Sequence, residues 1–306
     1  TGSYQVALGA NALAANTTGS GSVAIGYEAL TASTTGGEQV AIGYRALKST
    51  TTNTDNVAIG YEALEACTSG KNVAVGWNTL KADSGAVYCT AVGYDALAHQ
   101  TGTRSHNTAI GQRAMQAVVV ANNNTAVGSE CMYTNTGGAQ NTAVGKAALY
   151  TNSTGSNNTG IGYESLKLNT TGGDNTAVGF QALASCTTGD RNTCIGYEAL
   201  EKTTTGEYNA AVGAFALWAN TTASYNNAMG YEALTSNTTG AYNVAVGAYT
   251  LDANTTGEKN TALGHGSLSD NTTGSHNTCV GENALADNTT ANDNTAIGMD
   301  ALRLNT

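Results

Sequence analysis

The chain has 306 residues, no proline, 38 glycines and only 11% charged residues, with a net charge of −10. Its basic residues form no stripe that could neutralise phosphates, which argues against a nucleic-acid partner. No apolar run approaches the roughly 20 residues of a membrane-spanning helix, and the strict recurrence of aliphatic residues argues against disorder.

A glycine marks a repeat along the whole chain. Fifteen of its seventeen intervals are 17 residues; the interval after Gly60 is 16 and the one after Gly93 is 18. The anchor glycines are Gly9, Gly26, Gly43, Gly60, Gly76, Gly93, Gly111, Gly128, Gly145, Gly162, Gly179, Gly196, Gly213, Gly230, Gly247, Gly264, Gly281 and Gly298. Positions in the repeat are numbered from this glycine, so that −1 precedes it and +1 follows it.

The repeat unit reads approximately N-T-A-V-G-Y-E-A-L-x-x-N-T-T-G-x-x, and Asn175 to Arg191 follow it except at Phe180, Gln181 and Cys186. Its β-branched residues favour strands, and its Asn and Gly residues break helices. A helix-pair repeat would need about 33 residues. The sequence therefore predicts an all-β fold, a parallel β-solenoid of eighteen 17-residue turns, as a single uncapped array over residues 1–306.

Four positions predict the packing. Position −4 is Asn in fourteen units, which predicts a ladder of hydrogen-bonded amides. Position −2 is Ala in fifteen units, position −1 is aliphatic and position +4 is always Leu or Met. We expect −1 and +4 to form the core, so that Val178 and Leu183 point inwards and the Ala/Gly side is a smooth outer wall. The alternative is that Ala lines a very thin interior.

Position +1 carries an aromatic column. It runs through five consecutive turns as Tyr27, Tyr44, Tyr61, Trp77 and Tyr94. Later members are Tyr163, Phe180, Tyr197 and Tyr231. Rings repeated about every 4.8 Å would form a candidate sugar-stacking stripe on the surface. The alternative is that they cover the edge of the core or a seam between subunits.

Asn-x-Ser/Thr sequons are dense. Candidate glycan-attachment residues at position +7 are Asn16, Asn152, Asn169, Asn220, Asn237, Asn254, Asn271 and Asn288, and further sequons begin at Asn123 and Asn157. The alternative is turn chemistry, because Asn, Thr and Gly form tight turns without sugars.

Position −3 offers a second class of function. Thr90, Thr108, Thr125, Thr142, Thr159 and Thr176 form one column. Regular Thr arrays on β-solenoids bind ice, so ice binding is the alternative function, although the neighbouring column is Ala and the early turns carry Val.

The remaining reactive residues do not converge. Cys67, Cys89, Cys131, Cys186, Cys194 and Cys279 contain no CxxC pair and are interpreted as substitutes for Ala or Asn. Four histidines are scattered. The sequence therefore predicts no catalytic, cofactor or metal site and no enzyme activity.

The two ends of the sequence fit one another. Leu304-Asn305-Thr306 followed by Thr1-Gly2-Ser3-Tyr4 would continue the repeat in register. This predicts either a longer chain or copies stacked end to end.

The strings Ser22-Val23-Ala24-Ile25-Gly26 and Asn56-Val57-Ala58-Ile59-Gly60 resemble the head repeat of YadA-like trimeric autotransporter adhesins. The N-T-T-G form is similar to repeats of bacterial and phage tail-fibre-type proteins. The resemblance implies a parallel β-roll, side-by-side packing as a homotrimer and adhesion to surfaces or glycans. We therefore expect a structural fibre that is extracellular, on a cell surface or virion-associated, with no membrane span in this chain.

Overall fold

The structure, a computed structural model, describes residues 2–99, 105–117 and 121–305. Within these ranges there are eighteen strands of three residues, one for each repeat, and no helix. Turns and bends connect the strands. The all-β fold and the parallel β-solenoid of about 17-residue turns predicted from the repeat are confirmed.

The chain divides into two compact units, of which the first covers residues 1–154. Its strands are β1 (Val6–Leu8), β2 (Val23–Ile25), β3 (Val40–Ile42), β4 (Val57–Ile59), β5 (Val73–Val75), β6 (Thr90–Val92), β7 (Thr108–Ile110), β8 (Thr125–Val127) and β9 (Thr142–Val144). Each pairs with the next in parallel, and equivalent repeat positions face one another, as Val23, Val40 and Val57 do.

The second unit covers residues 155–306. Its strands are β10 (Thr159–Ile161), β11 (Thr176–Val178), β12 (Thr193–Ile195), β13 (Ala210–Val212), β14 (Asn227–Met229), β15 (Val244–Val246), β16 (Thr261–Leu263), β17 (Thr278–Val280) and β18 (Thr295–Ile297). The same parallel register holds here, for example between Thr159, Thr176 and Thr193.

The interior of each coil is lined by Ala and Leu, and the expected orientation of the strands is wrong. Ala177 and Leu183 are 0% exposed, whereas Val178 is only half-buried. Leu at +4, Ala at +3 and Asn at −4 already fill the narrow interior. The strand therefore turns its small residue inwards, and the position −1 aliphatics point outwards.

A row of side-chain amides at position −4 stabilises the interior of the coil. The Oδ1 of Asn209 accepts the backbone N–H of Asn226, and the Oδ1 of Asn226 accepts that of Asn243. The Nδ2 of Asn226 donates to the carbonyl of Gly240 on the facing corner. Each amide thus satisfies buried backbone groups of two segments, which confirms the predicted Asn ladder.

The anchor glycine allows successive turns to come close together. At Gly179 the φ angle is +142°, and a Cβ there would collide with the carbonyl oxygen of Gly196 in the next turn. No other residue fits both the conformation and the contact. This explains why the glycine is present in every repeat.

Most turns also place non-glycine residues in the left-handed region, at positions +2, +4 and +12. The buried leucines adopt φ near +50°, for example +54° at Leu200. This conformation crowds Cβ against the backbone and is worst for β-branched side chains. The coil holds its leucines there because the turn directs them into the core.

We expect Leu200→Ile to destabilise the second unit by about 1–3 kcal/mol, although volume and hydrophobicity are kept. The cause is the added Cβ branch at φ +54°. Leu200→Met is the matched control, because Met115 and Met132 occupy the same repeat position. Urea unfolding monitored by circular dichroism measures both variants, and equal stability of the two would contradict the conformational argument.

Candidate functional surfaces

The outward side chains of positions −3 and −1 form a surface that we call the aliphatic face. In the second unit Ile195 is 45% exposed, Met229 54% and Val246 38%. In the first unit position −3 is also aliphatic in five turns, which pairs Val40 with Ile42 on one strand. Such a regular apolar surface, one row for every turn, is suited to contact with another ordered surface.

The Thr column belongs to the same face. Thr108, Thr125 and Thr142 pair in register in the first unit, and all three are half-buried and outward. Their outward neighbours at position −1 are Ile or Val, because the Ala between them points into the coil. The surface is therefore a Thr/aliphatic array.

Four members of the sequence-predicted aromatic column, from Tyr27 to Trp77, form a continuous stack. Ring centroids of Tyr27 and Tyr44 lie 5.4 Å apart, those of Tyr44 and Tyr61 4.9 Å, and those of Tyr61 and Trp77 4.0 Å, all within 12° of parallel. Tyr94 in the same column is 46% exposed.

This geometry bears on the proposed sugar-stacking stripe. A sugar ring stacks on an aromatic face, but the inner rings of the column already cover one another face to face. The column therefore presents ring edges and hydroxyls along its length. The sugar-stacking stripe of Tyr27, Tyr44, Tyr61, Trp77 and Tyr94 stays a prediction. The face-to-face ring contacts favour the alternative that the rings cover the edge of the core or a seam between subunits.

A network of ion pairs borders this aromatic column. Glu28 Oε2 lies 2.9 Å from Lys48 Nζ and 3.0 Å from Arg45 Nε. The hydrogen bond from Lys48 holds the pKa of Glu28 below its ordinary value. The hydrogen bond to Glu62 raises the pKa of Lys81. These contacts join acids and bases of successive turns, so the charges on this side are largely compensated.

A hollow of about 390 Å³ lies beside this network in the first unit. Its lining residues are Glu65, Ala66, Asn78, Lys81, Ala82, Asp95, Ala98 and His99. Lys81 is paired with Glu62, and Asp95 accepts a hydrogen bond of 3.2 Å from Gln116. Three of its lining residues are alanines, and its charged walls are engaged with neighbouring turns.

A second aromatic column, at position +12, was not predicted. In the second unit Tyr208, Tyr225 and Tyr242 form what we call the tyrosine stack, and in the first unit Tyr88 stacks on His106 at 5.1 Å. The signal was present in the sequence as three tyrosines spaced by 17 residues. It was missed because position +12 is otherwise variable.

The candidate glycan-attachment residues at position +7 are enclosed. Asn152, Asn169, Asn220, Asn237, Asn254, Asn271 and Asn288 are all 0% exposed, and Asn16 is half-buried. The Nδ2 of Asn254 donates to Oδ1 of Asn237 at 2.9 Å and to the carbonyl of Gly257 at 3.0 Å.

Both hydrogens of such an amide are therefore used inside the fold, while an N-linked sugar replaces one of them. The folded coil has no room for sugar on the buried members of this row. Two other sequon residues, Asn123 and Asn157, lie at position +12, and both are exposed. The Nδ2 of Asn157 donates to Asp174 at 3.1 Å. Glycan attachment at these two positions stays a prediction.

The six cysteines are thiols outside any disulfide, and all are buried. They occupy columns otherwise filled by Ala or Asn, as Cys194 does at position −2 and Cys186 at position +7, which confirms their interpretation as substitutes. Burial raises the pKa of Cys67 to about 11 and those of Cys131, Cys186 and Cys279 to about 12. Thiols in this state are poor nucleophiles.

Buried thiols predict a loss of stability in alkali. The unfolded chain releases thiol protons above about pH 8.5, whereas the folded chain retains them. The folded pKa is raised, so its contribution to stability is complete below pH 8.5 and is lost as the pH rises towards about 12. Urea unfolding at increasing pH should show this fall. Cys131→Ala, which restores the common residue of its column, should make the fall shallower, and an unchanged slope would contradict the assignment.

Within the described ranges, no three His, Cys, Asp or Glu side chains come together as a metal site would require. Among the same residues there is no helix that is long and apolar enough to cross a bilayer. No protein-family model matches the sequence, and no curated protein matches it. Inferences about function therefore depend on the geometry of the surfaces themselves.

Proposed function

We propose that this chain is a non-catalytic, structural segment of an extracellular, cell-surface or virion-associated fibre, in which copies pack side by side through the aliphatic face. The observation that carries the proposal is the regular exposure of position −1. Ile161 is 39% exposed, Ile195 45% and Met229 54%, in alternate turns of the second unit. A partner that matches it row for row must have the same spacing of turns, and another copy of this chain has it.

The energetics support self-association. Apolar surface contributes about 25 cal/mol for each Å² removed from water, and a column of aliphatic side chains adds this gain once per turn. Side-by-side packing as a homotrimer would bury three such faces around one axis. The resemblance to YadA-like head repeats adds to this proposal, while end-to-end stacking stays a prediction.

The experiment compares Ile195→Asp with Ser185→Asp. The aspartate at 195 places a charge in the centre of the proposed contact, whereas Ser185 lies at position +6, outside the aliphatic face. We expect the wild type and Ser185→Asp to sediment as oligomers and Ile195→Asp to sediment as a folded monomer. A monomeric wild type at high concentration, without filaments in electron micrographs, would refute the proposal.

Adhesion is a further part of the proposal. Any contact with glycans would use the hydroxyls and ring edges of the aromatic columns, because the inner ring faces are stacked on one another. A glycan array tests it directly, with Tyr44→Phe as the variant that removes one hydroxyl and preserves the stack.

The in-register Thr column is the one observation that favours ice binding as a second candidate. Thr108, Thr125 and Thr142 repeat at the spacing of the strands on the outer face. An ice-recrystallisation assay separates the two functions, because fibre formation does not require inhibition of crystal growth.

A further inference from the structure

The tyrosine stack has a geometry that goes beyond the proposed fibre role. Ring centroids of Tyr208 and Tyr225 lie 4.9 Å apart and those of Tyr225 and Tyr242 5.0 Å, with interplanar angles of 5° and 2°. The three side chains are 38%, 45% and 53% exposed, respectively. Neighbouring phenols are thus in contact with one another and with solvent.

The backbone holds these three residues in register. Each lies in the left-handed region, with φ between +56° and +63°. The backbone N–H groups of the three tyrosines donate to backbone carbonyls of the preceding turn, at distances of 3.1 to 3.3 Å. The acceptors for Tyr208, Tyr225 and Tyr242 are the carbonyls of Asp190, Glu207 and Ser224, respectively. Because the attachment points cannot move apart, a reactive ring meets its neighbour at a very high effective concentration.

We propose that the tyrosine stack is a site of oxidative cross-linking, in which dityrosine bonds join successive turns of the coil. A one-electron oxidant, namely a haem peroxidase with hydrogen peroxide, removes one electron and one proton from each of two phenols. The two radicals form one carbon–carbon bond between the ring positions next to the hydroxyls. The two ring hydrogens then move to the oxygens, so two tyrosines and one peroxide give one dityrosine and two waters.

A bond of this kind has a structural consequence. It closes a covalent loop of one repeat between turns that are otherwise joined only by the backbone that runs from one to the next and held together by hydrogen bonds and packing. Such a loop reduces the conformational entropy of the unfolded chain and thereby stabilises the folded state. Cross-linking of two consecutive pairs would join three turns, so a fibre segment could be made permanent after it has folded.

The chain carries its own control at position +1. Tyr163, Phe180 and Tyr197 form an equally close stack, with centroids 5.2 and 5.0 Å apart. Phenylalanine has no phenolic hydrogen to lose, and the two tyrosines are separated by two turns, roughly 10 Å. Stacking without adjacent phenols should therefore give no cross-link here, and Phe180→Tyr should create one.

The experiment treats the full chain with horseradish peroxidase and hydrogen peroxide and locates the bonds by mass spectrometry. A glutamate-specific protease cuts after Glu232, so a Tyr225–Tyr242 bond joins two peptides with the loss of two hydrogens. We expect this product and a Tyr208–Tyr225 bond in the wild type. Tyr225→Phe, which keeps the ring stack, should abolish both bonds, and Phe180→Tyr should gain a bond to Tyr163 or Tyr197.

Mixing ¹⁵N-labelled and unlabelled chains identifies bonds within one chain. Mixed-isotope products at these tyrosines as the main outcome would overturn the proposal, because they would arise between chains. A yield at Tyr225 no higher in folded than in urea-unfolded protein would overturn it as well, as would failure of Phe180→Tyr to form a new bond. The result is independent of oligomeric state, so it can fail while the fibre proposal holds.

Discussion

Leu183→Asp is expected to unfold the turns around it, with a loss of about 3–5 kcal/mol in the free energy of unfolding. Leu183 is 0% exposed, and its surroundings are Ala, Leu and amides that already have partners. A carboxylate there would lose its hydration without gaining a counter-ion. Because stability in a repeat array depends on contacts between neighbouring turns, the effect should spread beyond one repeat.

Val178→Asp is the matched control, since it lies in the same turn and removes an aliphatic residue of similar kind. Val178 is half-buried and points outwards, so we expect a loss of less than about 1 kcal/mol in the isolated chain. Urea titrations at two protein concentrations measure the free energy of unfolding of both variants. A loss that changes with protein concentration is due to association between chains. Equal losses at the two positions would contradict the orientation of the strand.

Asn226→Ala is expected to lower the free energy of unfolding by about 2–4 kcal/mol, because the hydrogen bonds of its side chain are lost. The substitution leaves the backbone N–H of Asn243 without its acceptor inside the coil. It also removes one of the two amide donors of the Gly240 carbonyl, the other being Asn237 Nδ2. It also leaves a gap where the amide was. The loss should therefore exceed that of an ordinary exposed Asn→Ala change.

The adjacent residue supplies the control for this prediction. Asn227 lies at position −3 and is exposed, so Asn227→Ala should change the free energy of unfolding by less than about 0.5 kcal/mol. Native-state hydrogen exchange adds a site-specific measurement, because Asn226→Ala should expose the amide of Asn243 to exchange. Unchanged protection of that amide would show that the side-chain bond is not needed.

Much of the fold could be predicted from the sequence because the evidence is periodic. The 17-residue interval between glycines is too short for a helix pair and long enough for one strand with its turns, so it predicts a solenoid. The invariance of Leu or Met at +4 predicted burial, and the recurrence of Asn at −4 predicted a ladder. The irregular placement of cysteines predicted small-residue substitutes, since disulfides and metals demand regular spacing.

The sequence by itself determined the period, the strand positions and the two alternating sides of each strand. It could not determine which side faces inwards, because Thr-Ala-Val alternates equally well in either direction. Only the tertiary structure decided this. In the turn, Leu183 adopts a φ of +54° and points into the interior of the coil. The remaining space is so narrow that Ala177 is the only side chain of its strand that fits there, and Val178 therefore points outwards. The same closeness of the turns buries the amide of Asn254 and covers the face of Tyr44, two outcomes that depend on contacts between turns.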